Sequence, residues 1–315
     1  MRLMYSILKW FSNKDLLYIR RLIIEILSHK LSHDEQSKLF WDNNGYAWNI
    51  RVSPINPSEN DLNIYKKYLT GDGNNKKVLL LGSTPLLRHL LSEQGFKNYV
   101  VTDFSFTTIE NSLRALDKLG INLNTENEIW LKSNWLDMPL EPESFDYIVG
   151  DMVFTQIEPN RQSFFIKKIS SLLRPDGYFI GRIHICNSNI YDREPRKIIE
   201  EILTSETFKN TTEQRFALLY KLRDRLRNNK TQTTSPHTII NELLKYQTSD
   251  EKKLDFLRSV VNMISRRAEI GLPFISQTKD EFMNVIFKEF SLETILTASD
   301  YVSEYFPIYV LQKKT

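Results

Sequence analysis

The 315-residue chain predicts an α/β fold: a seven-stranded, mainly parallel sheet with a terminal antiparallel hairpin, an N-terminal helical extension and a helical insertion after strand five. Three observations predict it. Short apolar runs alternate with helical stretches between Lys77 and Ile185, the rhythm of right-handed βαβ units whose sheet is covered on both faces. Two more strand-like runs close the chain near Leu292–Leu296 and Ile308–Gln312. With 41% hydrophobic and 26% charged residues, the chain can bury a sizeable core, which excludes disordered, collagenous and fibrous classes.

The first element is an amphipathic helix, with Leu16, Ile19, Ile23, Ile26 and Leu27 at helical spacing. Residues 41–62, rich in Trp, Pro and Asn, read as an ordered loop or flap and not a helix. KVLLLG (77–82) is a buried strand; Thr84 and Pro85 then start a helix that Gly95 ends. YVVTD (99–103) is the second strand, followed by a helix with a capping box at Thr107 and Glu110. EIWLK (128–132), FDYIVGD (145–151) and YFIGRIHI (178–185) are the third, fourth and fifth strands, with a helix from about Pro159 between the last two. The rhythm breaks over 192–276, a helix-like insertion, and KDEFMNVIFKEF (279–290) is a further sheet-covering helix. The expected organisation is an extension over 1–76, a ligand-binding core over 77–191, an insertion over 192–276 acting as a lid, and completion of the sheet over 277–315.

Charge selects no partner. Forty-two Lys and Arg against 39 Asp and Glu leave a net +3, too little to demand nucleic acid or a membrane surface. The basic run RFALLYKLRDRLRNNK (215–230) lacks a base-stacking platform; it reads as a solvated helix face. The lone Cys186 forms no internal disulfide, and no Cys/His spacing marks a metal site. A reducing, cytoplasmic setting is expected. The N-terminal segment interleaves charges with apolar residues and never reaches the ~18 apolar residues of a membrane span.

In open α/β sheets, ligands bind beyond the carboxyl ends of the strands. Gly82-Ser83-Thr84-Pro85, Asp103, Asn134-Trp135 and Gly150-Asp151 all fall at such ends. Asp103 follows Gly82 by 21 positions, near the ~20 expected of an acid that binds ribose hydroxyls. A dinucleotide needs a G-x-G-x-x-G turn for its pyrophosphate, and LLLGSTPLL has one glycine. S-adenosylmethionine has no phosphate, so one close backbone approach at Gly82 suffices. Arg51, beside the aromatic flap, is a candidate for a carboxylate. His184, at the far end of the fifth strand, is a candidate base, with Arg182, Gln156 and Tyr191 near the same rim.

With Asn134-Trp135-Leu136-Asp137-Met138-Pro139, SFDYIVGD and LLRPDG following in that order, the sequence resembles the class I S-adenosylmethionine-dependent methyltransferases, a Rossmann-like family. The likeness covers 77–185 and 279–312 and is strongest to a bacterial subgroup whose first loop reads LGxTP. It implies S-adenosylmethionine as cofactor, with Gly82, Ser83 and Thr84 facing its methionine and ribose parts. Asp103 would hold the ribose and Phe104 would lie on the adenine. Asn134 would meet the adenine amine, Trp135 would add a wall, and Asp151 would stand near the cofactor's amino group or the substrate. The chain departs from the family pattern at Leu80, which replaces an acid, and at Thr84 and Leu86, which stand where glycines are usual.

The resemblance implies in-line methyl transfer to an acceptor O, N or C atom, with His184, Asp151 and Tyr191 as candidate catalytic residues. A small-molecule acceptor is expected, because a long insertion can enclose a small pocket. Three alternatives stay open: a macromolecular acceptor, a non-catalytic S-adenosylmethionine-binding or scaffold protein, and transfer of the cofactor's aminopropyl group.

Overall fold

The computed structural model describes residues 30–44, 53–70, 73 and 75–314. The expected helix at 16–27 and the candidate Arg51 lie outside the described residues. In chain order the elements that position the site are α1 (His33–Asn44), α2 (Glu59–Tyr68), β1 (Val78–Leu81), α3 (Pro85–Glu93), β2 (Tyr99–Asp103), α4 (Phe106–Asp117), β3 (Glu128–Lys132), β4 (Phe145–Asp151), α5 (Gln162–Leu172) and β5 (Leu173–Arg182). The insertion contributes α6 (Pro195–Thr204), α7 (Thr211–Arg225), the short β6 (Thr233–Thr234), α8 (Pro236–Lys245), α9 (Glu251–Ile270) and β7 (Phe274–Ile275). The chain then returns to the sheet through α10 (Lys279–Ile286), β8 (Phe290–Leu296) and β9 (Ile308–Lys313).

The seven-stranded sheet has the order β3-β2-β1-β4-β5-β9-β8. The first five strands are parallel, and β9 is antiparallel to both β5 and β8. Successive side chains enter opposite faces, so this all-apolar run of strands feeds two cores. Leu79, Leu81, Ile148, Phe179 and Leu311 pack on one side, and Val78, Leu80, Val149, Ile180 and Val310 on the other. A third apolar cluster joins the insertion helices through residues such as Ile198, Leu218, Ile239 and Val260, with Tyr305 and Phe306 of the returning chain.

Two local expectations are corrected. The stretch 41–62 is helical at both ends, because α1 runs on to Asn44 and α2 begins at Glu59. Ser58 and Asp61 start α2 with a reciprocal capping box: Asp61 N–H donates to Ser58 Oγ at 3.0 Å and Ser58 N–H to Asp61 Oδ2 at 2.9 Å. The second sheet helix begins at Phe106 with Ser105 as its N-cap, without a side-chain capping bond, so Thr107 and Glu110 form no capping box. The strand ends at Asp103, whose Oδ1 accepts from Ser105 N–H at 3.2 Å, and this turn starts the helix before Thr107 is reached.

Candidate active site

The sheet register brings the strand ends together. Leu81 pairs with Thr102 on one side and with Gly150 on the other, so Gly82, Asp103 and Asp151 emerge side by side. Gly82 has φ +83°, the left-handed region that favours glycine. A Cβ there would lie 3.6 Å from the Trp135 ring, so the backbone turns directly under that ring.

These residues form one wall of a cavity of about 1150 Å³. Gly82, Ser83, Thr84, Asp103, Phe104, Trp135 and Asp151 all line it. Phe104 and Trp135 lie nearly parallel, 17° apart with centroids separated by 6.3 Å, and Trp135 Nε1 donates to Thr102 O at 3.1 Å. Asp103 is 8% exposed and accepts from Ser83 Oγ at 3.3 Å. Burial pushes its carboxyl up to about 7, against the hydrogen bonds from Ser105 and Ser83 that favour the charged form.

The opposite wall comes from elements far away in sequence. Helix α1 supplies Ser37, Phe40, Trp41 and Asp42. Helix α7 presents Thr212, Arg215, Phe216, Leu219, Tyr220 and Arg223, a single face at helical spacing. Helix α9 adds Asn262 to Arg267 and Glu269, and β7 adds Phe274 and Ile275. The insertion therefore roofs the strand ends. Its basic run is not a solvated face: Arg223 and Arg227 are 3% and 9% exposed and Asp224 is fully buried. Helical periodicity alone could have separated Arg215, Leu219 and Arg223 from the exposed positions; it could not say what lay opposite.

Arg182 ties this architecture together. Its Nε and Nη2 donate to the two oxygens of Asp151 at 2.7 and 3.0 Å, and its Nη1 to Asp61 Oδ2 at 3.2 Å and Tyr301 Oη at 2.9 Å. Pro54 O takes another bond from Nη2 at 2.8 Å. Asp151 thus borders the cavity with both oxygens held by a buried guanidinium. That arrangement positions the strand end and occupies both Asp151 oxygens, while burial raises the carboxyl against the pull of Arg182.

Three candidates are placed elsewhere. Asn134 is not on the cavity wall: its Nδ2 donates to Asp34 Oδ2 at 2.9 Å and its Oδ1 accepts from Leu136 N–H at 3.0 Å, so both ends of the amide are engaged. His184 is also off the wall, 2% exposed, with Nε2 3.5 Å from Asp224 Oδ1. Burial, with Arg223 adding, pushes its imidazole well below the ordinary value, so it is neutral at pH 7. Tyr191 packs against the insertion's apolar cluster and not on the cavity wall. Gln156 does reach the cavity, where its Oε1 accepts from Trp41 Nε1 at 3.0 Å.

Spacing in sequence showed no metal cluster, yet folding gathers His184, Cys186 and Asp224, whose donor atoms lie within 4.8 Å of one another. Burial raises the Cys186 thiol and carries the Asp224 carboxyl up to about 7. Three donors fall one short of the closed tetrahedral zinc site.

The strand order sets the cavity beyond the strand ends with a buried acid closing β2, the place where open α/β sheets hold their ligands. Residues 81–181 match the family model of a methyltransferase domain. That stretch of the core is similar to a class I methyltransferase domain, and S-adenosylmethionine is the cofactor this similarity supports. Among solved structures, the chain is similar to a protein from Rhodobacter sphaeroides named as a Zn-dependent alcohol dehydrogenase, at 14% identity, TM-score 0.55, and coverage of 89% of this chain and 98% of that one. That likeness speaks to the fold. A SAM-dependent methyltransferase from Methanosarcina mazei aligns at 14% identity and TM-score 0.46, over 79% and 96% of the two chains. A geranyl diphosphate C-methyltransferase from Streptomyces coelicolor A3(2) aligns at 8% and 0.46, over 80% and 76%. No curated protein matches the chain. Among the described residues no helix is long and apolar enough to cross a membrane.

Proposed function

We propose that this methyltransferase modifies a small-molecule acceptor, an O, N or C nucleophile, by in-line transfer inside the roofed cavity. The observation that carries this reading is the cavity itself: its volume of about 1150 Å³ exceeds the ~300–1,000 Å³ typical of a site for one small ligand, and the insertion roofs it. That leaves room for an acceptor beside the cofactor and favours a small molecule over a macromolecule.

The residues fit an adenosine. Asp103 offers a buried carboxyl to vicinal hydroxyls, Phe104 and Trp135 offer ring faces to a purine, and the left-handed turn at Gly82 leaves the backbone free for close approach. When bound, S-adenosylmethionine supplies a methyl carbon activated by the adjoining sulfonium. The chain's own work is then to position and to exclude water. Asp103 anchors, Ser83 orients Asp103, and α7 and α9 close over the acceptor. With Asp151 held by Arg182 and His184 off the wall, positioning carries the catalysis.

Calorimetric titration with S-adenosylhomocysteine tests the binding half of this reading, and absence of binding at millimolar concentration overturns it. Product mass spectrometry with a panel of small acceptors tests the chemistry. S-adenosylhomocysteine is the expected product, whereas methylthioadenosine would mean that the aminopropyl group is transferred.

A further inference from the structure

The roof of the cavity carries positive charge without a matching acid. Arg215, Arg223 and Arg267 all line it, and among the described residues none of the three forms an ion pair. Arg223 Nε donates to Ser276 Oγ at 2.6 Å and its Nη2 to Ile275 O. Arg267 donates to Leu272 O and Pro273 O at 3.1 and 2.8 Å. Every one of these acceptors is neutral. The Arg215 Nε is buried and has no hydrogen-bond partner among the described residues. The two deeper guanidiniums flank one ring, lying 5.3 and 4.5 Å from the Phe274 centroid.

The acids on the cavity wall do not balance them. Asp151 belongs to Arg182, Glu269 to Arg266 and Asp42 to Lys38, and Asp103, at the strand ends on the facing wall, is bonded to Ser83 and Ser105 and to none of the three arginines. Asp224, next to Arg223 in sequence but off the cavity wall, accepts from Asn187 N–H at 2.9 Å and offsets part of the Arg223 charge through space without forming an ion pair with it. Burial pushes both deep arginines below their ordinary value, Arg267 to about 9 with Arg223 adding to the effect. A buried cation of this kind is costly unless something anionic meets it. The cofactor does not resolve the imbalance: its sulfonium and ammonium outweigh its one carboxylate, so its arrival adds a net positive charge. The wall is also apolar and aromatic: the Phe40 ring centroid lies 5.2 Å from the Arg267 guanidinium, and Trp41 and Phe216 line the same cavity.

We propose that the acceptor is a flat, apolar small molecule bearing an oxyanion, a carboxylate or a phosphate, which Arg223 and Arg267 receive. This rests on the methyltransferase reading above and names its substrate class. Guanidinium geometry suits either oxyanion.

The test is calorimetry on the full chain, both ligand-free and saturated with S-adenosylhomocysteine, using 2-naphthoate, 2-naphthyl phosphate and the neutral 2-naphthamide as probes. At least one anion is expected to bind tenfold or more tighter than the amide, and the two anions ranked against each other separate carboxylate from phosphate. Arg223→Gln and Arg267→Gln are each expected to weaken the preferred anion at least fivefold while leaving S-adenosylhomocysteine within twofold. The proposal is overturned if the amide binds as tightly as both anions, if neither anion binds at millimolar concentration, or if the variants lose S-adenosylhomocysteine as strongly as the anion, which would assign the arginines to the cofactor carboxylate. The wild-type comparison needs no variant to fold. If S-adenosylhomocysteine fails to bind but the ligand-free protein still prefers the anion, the methyltransferase reading fails and the anion site stands.

Discussion

Ser83 Oγ donates to Asp103 Oδ2 across 3.3 Å, joining the loop after β1 to the last residue of β2 beneath one side of the cavity. The bond fixes the direction of a carboxyl that is otherwise nearly stripped of water, and it does so with a side chain from the neighbouring strand's turn. On the proposed reading, cofactor affinity and folding stability both pass through that carboxyl, with opposite dependence on pH.

Asp103→Asn is expected to weaken S-adenosylhomocysteine at least tenfold, since a hydrogen bond to a charged group contributes about 1.5–3 kcal/mol. In the wild type, the carboxyl titrating at about 7 must be ionised to accept from two hydroxyls. The dissociation constant should therefore rise about tenfold from pH 8 to pH 6. Calorimetry at the two pH values checks this, and a flat profile would remove Asp103 from the site.

For folding the sign reverses. The folded carboxyl titrates above its unfolded value, so the stability it contributes is present in acid and lost as pH rises through about 7. Asp103→Asn should make the ligand-free protein more stable than the wild type, with the gap widening by roughly 2–3 kcal/mol from pH 5 to pH 8. Urea denaturation of both proteins at the two pH values measures it.

Arg182→Met should be among the most damaging single changes. It strands Asp151 and Asp61, whose carboxylates are both fully or almost fully buried, and breaking a buried pair from one side costs about 3–5 kcal/mol. The thermal midpoint is expected to fall by several degrees or more. A loss under 1 kcal/mol, by denaturant titration, would mean that the network does not hold the strand ends.

Gly82→Ala tests the first loop. The added Cβ meets only ordinary contact distance at Trp135, but φ +83° is unfavourable to any L side chain, at about 1–2 kcal/mol. The alanine variant should lose that much stability and bind S-adenosylhomocysteine several-fold more weakly. Unchanged affinity would show that the loop keeps its path without glycine.

Much of this protein was legible in one dimension. The runs VLLL, YVVTD and FDYIVGD announce strands because a doubly covered sheet wants uninterrupted apolar residues, and that demand is local. Gly82 and Asp103 were legible because turn conformation and strand length set their spacing. The insertion's helices were legible from periodicity, but Ser58 and Asp61 show how a short polar capping signal was lost among Trp, Pro and Asn.

What only the tertiary structure decided is which side chains meet. Asn134 is turned away by Asp34, a hundred positions earlier, and His184 by the acid it faces across the buried insertion. Phe40, Arg223 and Arg267 share one cavity wall although hundreds of positions separate the first from the last. The sequence by itself determined the sheet and the strand-end positions of Gly82 and Asp103, because those follow from neighbours along the chain. Burial of a charge, and hence the character of the acceptor pocket, depends on what packs opposite, and no local pattern carries that.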